Sequence, residues 1–351
     1  MRLLFAAGDV GGARAILPVA RAAHASGHHV LALAHGVLHA EGDADWHWLT
    51  QTEAEAASAD VMVYATSVAD WAAMDVAAAA RARGIPLVHV LDNWSSYGHR
   101  LCKADGSPLI PAIYAVMDDL ARSEALTEGV PAGIIEITGH PDLARLDAEA
   151  KGMATCSARQ PGDVRVLFVS EPARSDSGAA QDPGSRGYDE DGVTAAFVEA
   201  LTSTAPLGCS VQVAPHPRED RSVVADRWAR LAGTYPGAWT WDMVPADGVR
   251  VSLHRASHVA GMSSILLYEA WLLGKPTASL QPGLRGSALR TLAHREGLLF
   301  CDTSADLPGT VAKLLRRAPG TCTRALDGHL KAAERVLALA LQLRTGKKLS
   351  G

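Results

Sequence analysis

The chain has 351 residues, of which 48% are hydrophobic and 20% charged. Such a length suits about two domains of roughly 150 residues each, and the apolar content can build a sizeable core, which excludes disorder as the main state. The net charge of −5 excludes a general nucleic-acid binder; residues 1–160 carry −8 and residues 161–351 carry +3. That asymmetry is either solvated surface charge or a more basic second half suited to a nucleotide.

The first half alternates short apolar runs with helical patterns. Segment 2–7 predicts a strand, followed by a glycine turn and a helix over 13–25. Strands follow at 28–34, 61–65 and 87–91, with an alanine-rich helix between the last two. A helix over 112–127 and a strand over 133–138 complete the series. Continuous apolar strands separated by helices indicate a parallel sheet covered on both faces. Residues 151–162 are polar and lack an apolar face, so the linker is placed there. The second series has strands at 164–169, 210–214, 257–261, 276–280 and 298–301. Its helices run over 193–203, 220–233 and 264–273, and a long amphipathic helix covers 324–345. The turn-rich loop between Pro172 and Asp191 is long enough to suggest a functional role or disorder. The expected domains are therefore 1–150, 163–323, and a C-terminal helix and tail at 324–351. Two Rossmann-like halves would face each other across a cleft, with ligands beyond the carboxyl ends of the strands.

Cys102, Cys156, Cys209, Cys301 and Cys322 are scattered and form no CxxC pair, so neither a zinc ribbon nor a disulfide framework is expected. No stretch reaches the roughly 18 apolar residues of a membrane span, and the apolar run at the start is short for a signal peptide. The expectation is a cytoplasmic protein without a transmembrane segment, with oligomerisation left open.

The residues after each strand carry the chemistry. Gly8-Asp9-Val10-Gly11-Gly12 is not GxGxxG, and no acidic residue ends the second strand, which disfavours a dinucleotide site. Gly11 and Gly12 still permit close backbone approach to a ligand, and Asp9 is either a helix cap or a general base. Asp92, Asn93 and Trp94 follow the 87–91 strand as either a capped loop or an acceptor site built on hydrogen bonds and ring stacking. His140, in a Gly-His-Pro turn, would reach the same side. Trp46, Trp48 and Trp71 read as packing residues more than as an acceptor pocket. In the second half Glu171 follows the first strand, and Pro215-His216-Pro217-Arg218-Glu219 follows another. A histidine fixed between prolines beside an arginine suits a diphosphate. Gly261-Met262-Ser263-Ser264 leads into a helix whose free N–H groups suit an anion, and Glu269 lies further in among apolar neighbours. Arg285 and Arg290 are either donor-facing or a solvated helix face. His35 and His39 have metal-compatible i, i+4 spacing but no evident third ligand, so no metal site is expected. No GxSxG elbow occurs, which disfavours a serine hydrolase.

The segment from Ser257 to Gly283 resembles the GT-B glycosyltransferase superfamily: strand, Gly-x-Ser-Ser, a helix carrying Glu269, then Leu-Gly-Lys-Pro and a strand. Pro215 to Glu219 is similar to the His-Pro motif of bacterial sialyltransferase-like and glycerophosphotransferase-like members. Thr138-Gly139-His140-Pro141 resembles a turn of those enzymes and of nucleotide-sugar 2-epimerases. The resemblance implies an α/β GT-B fold and a metal-independent glycosyltransferase. It would need no cofactor, since the nucleotide-activated sugar is a co-substrate, and its acceptor is unidentified. Gly261, Ser263, Ser264, Glu269, His216, Arg218 and Glu171 would then bind the donor nucleotide, with Gly11 and Gly12 approaching it. Asp9, Asp92 or His216 would be catalytic, and Asn93, Trp94 and His140 would lie on the acceptor side. Alternatives on the same fold are a nucleotide-sugar 2-epimerase-like isomerase or hydrolase, with Glu171, Asp92 and Asp9 as its carboxylates, and a CDP-alcohol phosphotransferase. The donor base, the sugar and the stereochemical outcome stay open.

Overall fold

The computed structural model describes residues 1–66, 70–154, 164–286, 292–293, 295–320 and 323–345. Most of the proposed linker, with Cys156, and also Arg290 and Cys322, lie outside the described residues. The chain divides into two compact units. The first comprises Met1–Asp147 with Ala325–Gly351, and the second comprises Ala148–Arg324.

Unit 1 is built on a seven-stranded sheet of order β3-β2-β1-β4-β5-β6-β7, parallel throughout. The strands are β1 (Arg2–Ala7), β2 (His29–Leu33), β3 (His47–Leu49), β4 (Val61–Ala65), β5 (Leu87–Val90), β6 (Ile113–Val116) and β7 (Ile135–Ile137). β1 is an interior strand, pairing Leu3 with both Val30 and Val61. Its alternating side chains feed two cores, because successive residues of a strand point to opposite faces. Phe5 joins α1 (Val10–Ala25) and α13 (Ala332–Thr345) through Ile16, Val19, Val336 and Ala340. Leu4 joins α4 (Ala72–Ala82) through Met74 and Ala77. The C-terminal helix thus returns to the first unit. Arg335 Nε donates to the Thr138 carbonyl 2.6 Å away, and His329 Nδ1 accepts from the His140 N–H at 2.9 Å.

Unit 2 has a six-stranded parallel sheet, β10-β9-β8-β11-β12-β13. Its strands are β8 (Arg165–Val169), β9 (Cys209–Ala214), β10 (Trp239–Met243), β11 (His258–Gly261), β12 (Thr277–Leu280) and β13 (Leu299–Cys301). Its core is aromatic where α8 (Glu190–Thr204) and α9 (Arg221–Thr234) cover the sheet. Phe168 lies 4.8 Å from Phe197 and 5.2 Å from Trp228, centroid to centroid.

Several expectations need correction. The 112–127 helix is two elements: strand β6, then α5 (Asp119–Thr127), which starts where Asp118 accepts from the Ala121 N–H. A short apolar run such as Ile-Tyr-Ala-Val has no period that separates buried strand from buried helix. The 324–345 helix is a 3-10 turn at Arg324–Gly328 and then α13. The loop after Pro172 contains α7 (Ala173–Ser177). Six further elements carry no clear pattern: β3, β10, α2 (Gly36–Glu41), α3 (Gln51–Ala56), α10 (Val249–Arg255) and α12 (Leu307–Arg316), and α6 (Arg145–Ala154) extends into the proposed linker. Among the described residues no helix is long and apolar enough to cross a membrane, and no group of side chains could hold a metal ion. Among the described cysteines, Cys209 and Cys301 are buried and Cys102 is half-buried.

Local capping accounts for the short α3. Thr50 and Glu53 form a reciprocal capping box, with Glu53 Oε2 accepting from the Thr50 N–H at 2.8 Å. Thr50→Ala is expected to cost about 1 kcal/mol in urea unfolding without changing ligand binding.

Candidate functional site

In open parallel sheets, ligands bind beyond the strand carboxyl ends where the strand order reverses. Each unit has one such point, between β1 and β4 in unit 1 and between β8 and β11 in unit 2.

At the unit 1 point lies the glycine loop. Asp9 is the N-cap of α1, its Oδ1 accepting from the Gly12 N–H at 2.8 Å. Two more carboxylates press on the loop. A Cβ at Gly8 would stand 2.5 Å from Asp70 Cγ, and one at Gly11 would stand 2.3 Å from Asp92 Oδ2. The glycines are therefore required by carboxylates closing in on the backbone, a reason that does not involve a dinucleotide.

Asp92, directly beyond β5, is 7% exposed. Arg100 Nη1 lies 2.6 Å from its Oδ1, in a contact that lacks hydrogen-bond alignment. Burial pushes the Asp92 carboxyl up to about 6, against the opposing pull of Arg100, and the negative charge of Asp9 adds to the rise. Arg100 is pinned by the Thr66 and Ser95 carbonyls. Thr66 Oγ1 also meets His89 Nε2 at 2.8 Å, and burial holds that imidazole down to about 3, in its neutral form.

Of the three residues expected on the acceptor side, Trp94 and His140 are enclosed and Asn93 is exposed. Trp94 is 5% exposed and its indole N–H donates to Asp118 at 3.0 Å, so its ring is a packing element with no free face. His140 is buried, its Nε2 lies 3.2 Å from the Asp92 carbonyl, and burial lowers its pKa. Asn93 is exposed, and its Oδ1 accepts from the Trp94 N–H. Trp46 is buried, and Trp48 stacks edge-on against His39. His35, the other half of the i, i+4 pair, meets Asp70 at 2.7 Å. Asp70 was not singled out from the sequence, although it lies just past β4, where the same reading of strand ends would have found it.

At the unit 2 point, Glu171 beyond β8 reaches the start of α11 (Ile265–Leu272) beyond β11. Its Oε1 accepts from the Ser263 and Ser264 N–H groups and its Oε2 from the Ser263 hydroxyl, each at 2.6 Å. Ser264 is the N-cap of α11. The donors expected to be free for a phosphate are thus held by the chain's own carboxylate. Burial raises the Glu171 pKa, and these hydrogen bonds only partly oppose the rise. A Cβ at Gly261 would sit 2.8 Å from the Val169 carbonyl, so this glycine serves close strand packing. Glu269 is 4% exposed, with Arg250 Nη1 at 3.8 Å.

Beyond β9, His216 Nδ1 accepts from the Arg218 N–H at 3.1 Å, and burial with the Arg218 charge lowers the His216 pKa. The neutral ring then carries its proton on Nε2, a donor suited to a phosphate oxygen. Glu219 fixes the turn by accepting from the His216 N–H and the Ser170 hydroxyl, both at 2.8 Å. Arg218 is less available than expected, because its guanidinium forks onto Asp176 at 2.6 and 3.1 Å. Arg285 donates to the Asp182 carbonyl at 3.0 Å and so joins the loop after β12 to the loop after α7.

No protein-family model matches the chain. No curated protein sequence matches it either. Solved structures do. UDP-GlcNAc 2-epimerase from Methanocaldococcus jannaschii is 14% identical, with 97% of this chain and 100% of that one covered and a TM-score of 0.68. The Neisseria meningitidis enzyme of that name, bound to UDP-GlcNAc, is 12% identical over 97% and 100% of the two chains, with a TM-score of 0.65. HepE from Anabaena, in complex with UDP and glucose, is 15% identical over 98% of each chain, with a TM-score of 0.58. With its two parallel sheets of seven and six strands, the chain has the two-domain Rossmann-like fold of GT-B type.

Proposed function

We propose that the protein is an enzyme acting on a nucleotide-activated sugar, as an isomerase or hydrolase of 2-epimerase type rather than as a glycosyltransferase. The full-length likeness to structures of UDP-GlcNAc 2-epimerases, some holding UDP or UDP-GlcNAc, favours this reading. The observation that carries it is Asp92, a buried carboxyl poised near pH 6 against the glycine loop. Loss of a proton from the carbon beside the anomeric carbon can expel the nucleoside diphosphate and leave a double bond. Return of a proton and of the diphosphate gives the epimer, whereas water gives the free sugar. A carboxyl divided between its two forms near neutrality serves such transfers in both directions. Glycosyl transfer needs an open acceptor surface, and Trp94 and His140 are enclosed.

In this reading unit 2 holds the nucleotide. Glu269 accepts from the ribose hydroxyls, and the His216 Nε2–H donates to the diphosphate. Ser263 and Ser264 receive a phosphate once Glu171 moves away. These donors stabilise the charge that develops on the leaving group. The reading needs no metal and no cofactor, so turnover is expected to survive dialysis against EDTA.

The test is a thermal-shift panel of UDP, CDP, CMP, GDP, ADP and TDP, followed by UDP-GlcNAc in D2O without any acceptor. UDP at 100 times its dissociation constant is expected to add about 2.7 kcal/mol of stability. Proton NMR should then show solvent deuterium entering the sugar or UDP being released. Turnover that appears only with an added acceptor would restore glycosyl transfer. Selection of CDP would point to alcohol-phosphate transfer. No shift with any nucleotide would overturn the reading.

A further inference from the structure

Inverting a carbon requires the proton to leave from one face and return to the other. Asp92 supplies one proton-transferring group, and a second stands across the glycine loop. His35 follows β2, on the other side of β1 from β5. Its Nε2 lies 2.7 Å from Asp70 Oδ2. Asp70 Oδ1 accepts from the Ala72 N–H at 3.0 Å, at the start of α4, so both oxygens are engaged. A carboxylate only accepts, so neutral His35 carries its proton on Nε2 and leaves the Nδ1 lone pair available as a base. Among the described residues no hydrogen bond reaches Nδ1, and the side chain is 40% exposed. Two glycines make this placement possible. A Cβ at Gly8 would collide with the Asp70 carboxylate, and one at Gly36, at φ +50°, would stand 2.6 Å from the Gly8 carbonyl.

We infer that His35 is a second proton-transferring residue of the proposed reaction, held in one tautomer and orientation by Asp70, which is a positioning residue. The inference rests on the nucleotide-sugar reading. His35 Nδ1 takes the proton beside the anomeric carbon: the C–H bond breaks and an N–H bond forms. The released electron pair makes the carbon–carbon double bond and expels the diphosphate. On return the neutral Asp92 carboxyl gives its proton to the opposite face while the diphosphate re-adds. The turnover ends with an imidazolium beside Asp70 and an ionised Asp92, and both reset by exchange with water.

The test uses the full chain with UDP-GlcNAc and UDP as probes, and His35→Gln and Asp70→Asn as variants. Histidine ring resonances are followed by NMR and assigned with His35→Gln. UDP-GlcNAc is expected to shift the His35 signals where UDP alone does not. His35→Gln is expected to lose about 10²–10⁴-fold in kcat, with UDP affinity by calorimetry within about twofold of the parent. Asp70→Asn is expected to lower kcat with little change in KM, a split that a purely structural contact would not produce. A His35→Gln enzyme with kcat within about threefold of the parent would overturn the inference and leave the nucleotide-sugar reading intact. Absence of any response to UDP or UDP-GlcNAc in the parent would overturn both.

Discussion

Asp92→Asn is expected to lower turnover of the nucleotide sugar by about 10²–10⁴-fold while leaving UDP affinity nearly unchanged, because it removes the titrating group and keeps its shape. A second readout needs no substrate. The folded protein holds the Asp92 proton to about pH 6, against 3.8 as the ordinary value. Between those values the folded state binds more protons than the unfolded one, so the contribution of Asp92 to stability is full below the lower value. It is lost as pH rises through the upper one, by roughly 3 kcal/mol at most. Wild-type stability measured by urea at pH 4.5 and pH 7 should therefore fall more steeply than that of Asp92→Asn. Glu171 and Glu219 are also raised by burial and act in the same direction, but they are common to both proteins and cancel in the difference. The variant also leaves Arg100 buried without its counter-charge, which lowers its absolute stability but not the pH slope. An unchanged slope would place the Asp92 carboxyl outside a titrating role. Gly11→Ala should act on the same group by another route, since the new Cβ would meet Asp92 Oδ2.

Glu171→Ala is expected to tighten UDP binding by about 10–100-fold, since buried N–H groups left unpaired cost about 1–3 kcal/mol that a ligand phosphate would relieve. In the resting protein the carboxylate occupies three donors at 2.6 Å, two backbone N–H groups and the Ser263 hydroxyl. A phosphate claiming those donors has to displace it. The empty variant should be less stable than the parent, and UDP should restore that loss. Calorimetric titration with UDP checks this. Weaker or unchanged binding in Glu171→Ala would mean that the phosphates rest on His216 and its neighbours, with Glu171 a permanent cap of α11.

Much of the frame was legible residue by residue. Continuous apolar runs mark the central strands because a parallel strand is buried on both faces. Gly8 to Gly12, Ser264 and the 215–219 turn announce their positions through local backbone needs. The pieces that escaped are short or lie at edges. β3 has three residues, and β10, at the end of its sheet, alternates exposed positions with buried or half-buried ones. The Pro215–Glu219 and Ser257–Gly283 motifs resemble enzymes with more than one reaction, so they point to the fold better than to the chemistry.

The sequence by itself determined the two α/β halves, the glycine loop and the candidate chemical groups at the strand ends, because each depends on a local run of residues. Only the tertiary structure decided which groups meet. Glu171 and Ser263 are 92 positions apart, His35 and Asp70 are 35 apart, and the last helix crosses back to Thr138 from Arg335, 197 positions away. Parallel crossovers bring the carboxyl ends of distant strands to one edge, and burial at that edge then sets Asp92 near neutrality and closes Trp94 and His140 to ligand. No local pattern encodes those pairings, because the neighbours that decide charge and exposure lie on other strands.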